Sequence, residues 1–348
     1  MTIHTEVVIV GAGPCGLFQV FELGLLGIKA HLLDSLAKPG GQCAELYPEK
    51  PIYDIPALPV CGAQELIDRL LEQIKPFGAE MHFGHEVTVV NKREDGRFDV
   101  QTAGGLKFDA GAIVIAGGVG SFQPRRLSVE SADVFEGSQI FYRVKSAAEF
   151  HGKKLVIFGG GDSALDWTLD LAGKAESLTL VHRRSEFRAA PASVQKMQQL
   201  VAEGKMRFIE GTAASLITSG DRLTGVNVKD ASGALQAVEA DALLAFFGLA
   251  PKLGPIAEWG LELEKKALKV DTEKFQTSVP GIFAVGDINT YPGKKKLILS
   301  GFHEAALAAF AIQHYLYPQK RQFLQYTTTS PVMHQRLGVN DPPADAAE

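Results

Sequence analysis

The chain has 348 residues, with 35 basic against 40 acidic side chains, a net charge of −5 at pH 7, 46% hydrophobic residues and three cysteines. That length exceeds what one hydrophobic core supports, so roughly two domains are expected, and the apolar content excludes a disordered chain. The acidic balance argues against nucleic acid as a partner, and Cys15, Cys43 and Cys61 are too few for a disulfide scaffold or a four-cysteine zinc site and contain no C-x-x-C pair.

The opening MTIHTEVVIV lacks the basic start and long apolar stretch of a secretory leader. No run approaches the ~18 apolar residues of a membrane span. A cytoplasmic protein with reduced thiols and no membrane association is expected.

Residues 6–10 (EVVIV) are a β-branched run that suits a strand buried on both faces. A glycine turn follows at 11–16, then helical spacing of Leu and Phe over 17–27. An apolar run at 30–33 ends in Asp34, completing one β-α-β unit. Residues 37–60 read as a long Gly/Pro-rich loop and 63–76 as a helix. Residues 86–91 and 97–102 alternate as an antiparallel pair around a turn at 94–96. Residues 112–116 (AIVIA) are another buried strand.

The pattern restarts 148 residues after Gly11, at Gly159. A strand at 154–158, a glycine turn at 159–164, a helix at 165–173 and a strand at 178–181 repeat the plan. Alternating segments run from 208 to 228, and 242–247 closes this half. PGIFAVGDI follows at 280–288, then an alanine-rich helix at 301–315 and a polar tail at 319–348. The fold class read from this is α/β, with two Rossmann-like three-layer nucleotide-binding domains.

Gly11, Gly13 and Gly16 fit G-x-G-x-x-G, with Pro14 and Cys15 between. Such a turn lets a backbone approach a pyrophosphate and faces it with a helix N-terminus. Asp34, 18 residues past Gly16, suits the ribose hydroxyls. The second turn, Gly159, Gly160, Gly161, Asp162, Ser163 and Ala164, fits G-x-G-x-x-A. Its second strand ends in His182, Arg183 and Arg184, with Arg188 close behind. A carboxylate repels a 2′-phosphate, whereas guanidinium forks accept it. The pair of sites reads as FAD at the first turn and NADP at the second. A solvated basic turn is the competing reading of the arginines.

GAGPCG, the GGQ of Gly40–Gln42, GGGDSA, VHRRSEFRA and AVGDI together resemble the thioredoxin-reductase-like flavoproteins. That resemblance implies that the second domain is inserted in the first, with FAD in 1–118 plus 248–318 and NADP in 119–247. The two domains would reorient through hinges near 117–120 and 247–250. The dithiol of thioredoxin reductase is missing. The loop GGQCAELYPEKPIYDIP and the tail YTTTSPVMHQRLGV instead resemble ferredoxin–NADP reductases of the thioredoxin-reductase type.

By that resemblance Cys15, Asp34, Gly41, Gln42, Tyr47, Val87, Phe122, Gly286, Asp287 and Thr328 are FAD contacts. Tyr47 would stack on the flavin, and 319–348 would cover its other face across a homodimer. Read from the residues alone, Cys15 is a small buried residue, and Val87 and Phe122 are plain core. The implied activity passes hydride from NADPH to FAD, then single electrons to two ferredoxins. Reduction of flavodoxin, free flavin or a quinone is the alternative, and a non-enzymatic redox sensor a further one. No catalytic side chain, nucleophile–base pair or metal-ligand cluster is legible. Lys294, Lys295 and Lys296, or Arg125 and Arg126, are candidates for docking an acidic ferredoxin.

Overall fold

Strand-forming and helix-forming runs alternate twice along the chain, and each alternation closes its own sheet. In the computed structural model, which describes residues 2–120, 123–144, 146–250, 252–320 and 324–339, the chain divides into two units. One is Met1–Ser121 with Pro251–Glu348, and the other is Phe122–Ala250.

In the first unit the strands Glu80–Phe83, Ala30–Asp34, Thr2–Val10 and Lys107–Ile115 run parallel, in that order across the sheet. Ile282–Ala284 adds a further parallel partner to Lys107–Ile115, and the hairpin Val87–Lys92 and Phe98–Thr102 completes the sheet antiparallel. Val7, Val8 and Ile9 have no exposed surface, as expected of a strand covered on both faces. Helices α1 (Pro14–Leu25), α2 (Gly41–Leu46), α3 (Ala63–Ile74) and, from the returning chain, α6 (Ile298–Leu316) belong to this unit. In α3 the buried positions Ala63, Leu66, Ile67, Leu70 and Ile74 recur at helical spacing. Small Ala305, Ala308 and Ala309 on α6 are buried on the face that packs in the core with α1.

Two segments depart from the sequence reading. The presumed loop at 37–60 holds α2 and one strand of a two-residue pairing, Pro51–Ile52 with Cys61–Gly62. Its helix starts on Gly40 and Gly41, both left-handed (φ 120° and 53°), so glycines that look like loop punctuation are the bend that admits a helix. Glu80–Phe83 is an edge strand that EMHF, short and half polar, does not announce.

In the second unit Ile140–Phe141, Ala242–Ala245, Lys154–Phe158, Ser177–His182 and Arg207–Ser219 are parallel. Arg222–Asp230 and Leu235–Glu239 extend the last strand as an antiparallel meander. Helix α4 (Asp162–Leu171) follows the glycine turn. Helix α5 (Pro191–Ala202) is absent from the sequence reading, because its apolar face is thin: Met197 alone is fully buried, with Val194, Leu200 and Val201 half-buried against the core beside it. The tail holds a last helix, α7 (Pro331–Leu337), capped by the Ser330 hydroxyl accepting from the Met333 amide.

Two glycine turns as candidate cofactor sites

The first turn leaves its strand at Gly11, whose φ of 110° and closeness to the Ala116 carbonyl leave no room for a Cβ. Gly16, one turn into α1, sits against the Gly11 carbonyl for the same reason. Gly13 is the N-cap, and a Cβ there would meet only the Gly41 Cα, at 4.0 Å. Open space therefore lies in front of the α1 N-terminus, where Pro14 at N1 removes one amide and the others stay free for an anion. Asp34 closes the turn from below. Its Oδ2 accepts from the Ala12 amide at 2.6 Å and its Oδ1 from the Leu36 amide at 2.8 Å. Burial pushes the Asp34 carboxyl up, against the pull of these two amides. Each oxygen keeps a further lone pair.

Three elements meet at Cys15. Its sulfur is packed against Gly286 and Gly301, where an added Cβ would stand 2.9 and 2.2 Å from it. Burial pushes the thiol up to about 12, so Cys15 is a filler and not a thiolate at neutral pH. Burial likewise takes Cys43 up to about 11. Gly286, Asp287 and Ile288 form a single helical turn after the returning strand. The Asp287 carboxyl is pushed up by burial and drawn back by Lys296 and Lys294.

This turn is braced from α6. The wholly buried Glu304 accepts from the Gly286 amide (2.7 Å), the Asn289 side-chain amide (2.8 Å), the Tyr291 hydroxyl (2.9 Å) and the Lys294 ammonium. Lys294 also donates to the Gly286 carbonyl at 2.9 Å. Its side chain is only 6% exposed, so Lys294 is an internal counter-ion and not the surface docking residue its sequence suggests. Lys295 and Lys296 are exposed. Glu304 escapes the sequence reading, although a lone acid on the Gly301, Ala305, Ala308 face of an apolar helix is a legible signal of buried pairing.

Gln42 and Tyr47 lie in and just after α2, whose Gly41 backbone meets Gly13 of the first turn. Gln42 lies beside Gly118, and the Tyr47 hydroxyl is 3.8 Å from the Cys43 sulfur. Burial pushes the Tyr47 phenol up, and the Cys43 and Asp287 charges add to the shift. Val87 is 4% exposed in the core, and Phe122 lies outside the described residues. Thr328 is exposed in a turn before α7. The Arg336 guanidinium of α7 donates to the Leu25 carbonyl. That contact is at the C-terminal end of α1, about 18 Å along the helix from the glycine turn. Within one chain α7 is thus docked away from the first turn.

The second turn repeats the backbone with other side chains. A Cβ on Gly159 would strike the Phe246 carbonyl and the buried Ala164. One on Gly160 would lie 2.2 Å from the His182 ring, and one on Gly161, the α4 N-cap, would meet nothing within 4 Å. The basic loop is tied to the turn by the Arg188 amide donating to the Gly160 carbonyl (2.8 Å) and the Ala190 amide donating to Asp162 Oδ1 (2.9 Å). Asp162 thus orients the loop, and Ser163 is exposed at the first helical turn. Arg183, Arg184 and Arg188 are exposed, with no carboxylate in ion-pair distance among the described residues. Burial pushes the His182 imidazole down, and the three arginines add to the shift.

Sheet register also brings His31, Glu80 and His82 together, a grouping the sequence reading did not single out because it lies across two strands 50 residues apart.

Two strand–turn–helix motifs, one ended by a carboxylate and one by arginines, define a protein with two dinucleotide sites. The family model of the pyridine nucleotide-disulphide oxidoreductases matches residues 5–312, and the chain belongs to that family. It is 63% identical over 340 residues to ferredoxin–NADP reductase 2 of Cupriavidus necator, covering 98% of this chain and 92% of that protein. It is 63% identical over 347 residues to the ferredoxin–NADP reductase of Methylibium petroleiphilum, covering 99% and 95%. Among solved structures, thioredoxin reductase of T. acidophilum aligns over 91% of this chain and 99% of its own, with a TM-score of 0.77 and 23% identity, a likeness of fold.

Proposed function

We propose that this chain is a ferredoxin–NADP reductase that uses FAD. The reading rests on the contrast between the two turns, one ended by Asp34 and one by Arg183 and Arg184, in a chain with no C-x-x-C pair. The full-length reductases of C. necator and M. petroleiphilum, so named, support ferredoxin as the partner.

The residues present fit both cofactors. At the first turn, the open N-terminus of α1 at Gly13 takes the pyrophosphate, and Asp34 offers its remaining lone pairs to the ribose. Asp287 stands ready for the ribityl chain, with Glu304 and Lys294 fixing the turn that carries it. Gln42 and Tyr47 line the flavin side, with Gly41 allowing the approach. Val87 is the apolar contact. FAD bound there supplies the exchange between hydride from NADPH and single electrons for ferredoxin. At the second turn, Gly161, Ser163 and the α4 N-terminus hold the pyrophosphate, and Arg183, Arg184 and Arg188 the 2′-phosphate. His182 fills the space under Gly160, and Ala164 packs the helix onto the turn.

Thr328 reaches a flavin site in a homodimer, where the tail of one copy serves its partner; the docking of α7 far from the first turn supports this. The protein works in the cytoplasm, a reading supported by three free cysteines. No helix of the described residues is long and apolar enough to cross a membrane. Ferredoxin docks on the exposed Lys295 and Lys296, and reversing both charges raises its KM while reduction by NADPH is unchanged.

The test is anaerobic. NADPH should bleach the flavin absorbance of the purified protein, and oxidised ferredoxin should restore it. Flavodoxin, free flavin or a quinone restoring it while ferredoxin does not would overturn the assignment of partner. Thioredoxin-linked reduction of a dithionitrobenzoate reporter should not occur.

A further inference from the structure

In the first unit the parallel strands Ala30–Asp34 and Glu80–Phe83 pair His31 with Glu80 and Leu33 with His82. Paired residues in neighbouring strands share a face, and so do residues two apart in one strand. Register alone therefore sets His31, Glu80 and His82 on one face at the sheet edge. His31 Nδ1 lies 3.0 Å from His82 Nε2 and 3.8 Å from Glu80 Oε2. One ligand atom of each residue lies within 4.8 Å of the others. The Phe108 ring packs edge-on against both imidazoles, with centroids 5.4 Å away in each case, and holds the two rings in place.

Two imidazole nitrogens facing each other at hydrogen-bond distance share one proton, so one lone pair already points into the gap. Two nitrogens bound to one tetrahedral zinc ion at about 2.0–2.1 Å stand roughly 3.4 Å apart. The rings need to separate by only a few tenths of an ångström. His31 is 9% exposed and fixes the inner end, whereas the Glu80 side chain is 70% exposed and free to swing inward.

We propose that His31, Glu80 and His82 form a binding site for a borderline divalent cation of the zinc class, with water completing the coordination. Two imidazoles and one carboxylate suit zinc, and magnesium and calcium, which prefer all-oxygen shells, fit it poorly. The ion takes the place of the shared proton, which moves to the outer nitrogen of the same ring, so both ligands remain neutral imidazoles and no proton is lost overall. It ties the edge strand Glu80–Phe83 to its neighbour. Because the three ligands meet only in the folded chain, the metal stabilises the fold by mass action.

The experiment uses the untagged, FAD-loaded protein freed of metal by a chelator. Zinc sulfate is titrated in calorimetrically, and thermal unfolding is followed with and without zinc. The expected result is one zinc per chain and a Tm that rises with zinc. His82→Ala should weaken binding at least about tenfold, or about 1.4 kcal/mol, and Glu80→Gln by less. The exposed Glu80 keeps the test valid if His82→Ala folds poorly. Alkylating the cysteines should leave the stoichiometry unchanged. The proposal is overturned if no stoichiometric binding occurs by about 100 µM zinc, a Kd limit near −5.5 kcal/mol. It is also overturned if both variants bind like the parent, if alkylation abolishes binding, or if magnesium binds equally well.

Discussion

The two glycine turns share a backbone plan and differ in the residue beneath it. In each, the first glycine donates its amide to the end of the second strand, Gly11 to Leu33 (2.8 Å) and Gly159 to Val181 (3.1 Å). In each, that glycine lies against a carbonyl just past a neighbouring strand, of Ala116 or Phe246. Below the first turn the short Asp34 reaches the amide of Ala12 and leaves space for its methyl group. Below the second, the larger His182 ring occupies that space, so the equivalent residue is Gly160. The side chain that ends the second strand thus decides which residue the turn tolerates, alanine over Asp34 and glycine over His182. The bracing differs as well. In the first unit the Gly286–Ile288 turn, which packs on Cys15, leans on the buried Lys294–Glu304 pair. Every ion pair described in the second unit has a member at least 36% exposed.

Removing the brace should have the largest effect. Glu304→Ala leaves the Lys294 charge buried and three donors without their acceptor, at a cost of about 3–5 kcal/mol. For a unit of this size that lowers Tm by roughly 10 °C. Calorimetry should show the loss in the first unit's transition alone. Lys154→Ala, which breaks an exposed pair in the second unit, should cost under about 1 kcal/mol.

Exchanging the residues under the two turns probes the contrast at a smaller scale. Gly160→Ala drives a methyl group into the His182 ring and should cost about 1–2 kcal/mol. The double variant Gly160→Ala/His182→Ala should recover most of that loss, because the ring no longer occupies the space. If chemical denaturation shows equal costs with and without His182, the ring does not set the requirement for glycine.

The smallest effect is in pH. Burial and three arginines hold the His182 pKa below its usual 6.5, so the fold favours the neutral ring. Its contribution is complete above the unfolded value and is lost as the pH falls through the folded one. Stability should therefore decline below about pH 6.5, and less steeply in His182→Gln. His31 and His82 are lowered too, by burial first, and add to the slope in both proteins. Equal slopes for parent and variant would contradict the assignment.

Both β-α-β units were legible because buried parallel strands write continuous apolar runs and the turns write glycines at fixed offsets. The acid at 34 and the arginines at 183 and 184 were legible for the same reason. Helix α5 was not, because its stripe of Val194, Met197, Leu200 and Val201 is narrow and mostly half-buried within a polar segment. The Glu80–Phe83 strand was not, because edge strands need little apolar alternation. The roles of Lys294 and Glu304 depend on a helix turn and a loop meeting in space, and a run of three lysines reads the same whether its first member is buried or exposed. The His31–Glu80–His82 cluster required strand register, which no local pattern encodes.

The central claim is that the carboxylate turn holds FAD and the arginine turn selects NADPH. The most direct test measures FAD content and the ratio of KM for NADH to KM for NADPH in two variants side by side. Arg183→Ala/Arg184→Ala removes two charge-assisted contacts worth about 1.5–3 kcal/mol each, so the ratio should collapse by at least a hundredfold while FAD stays bound. Asp34→Ala should lose FAD on gel filtration, and with FAD added in excess it should keep the parent's coenzyme ratio. The account is contradicted if the arginine variant loses FAD, if the coenzyme ratio survives it, or if Asp34→Ala retains FAD as tightly as the parent.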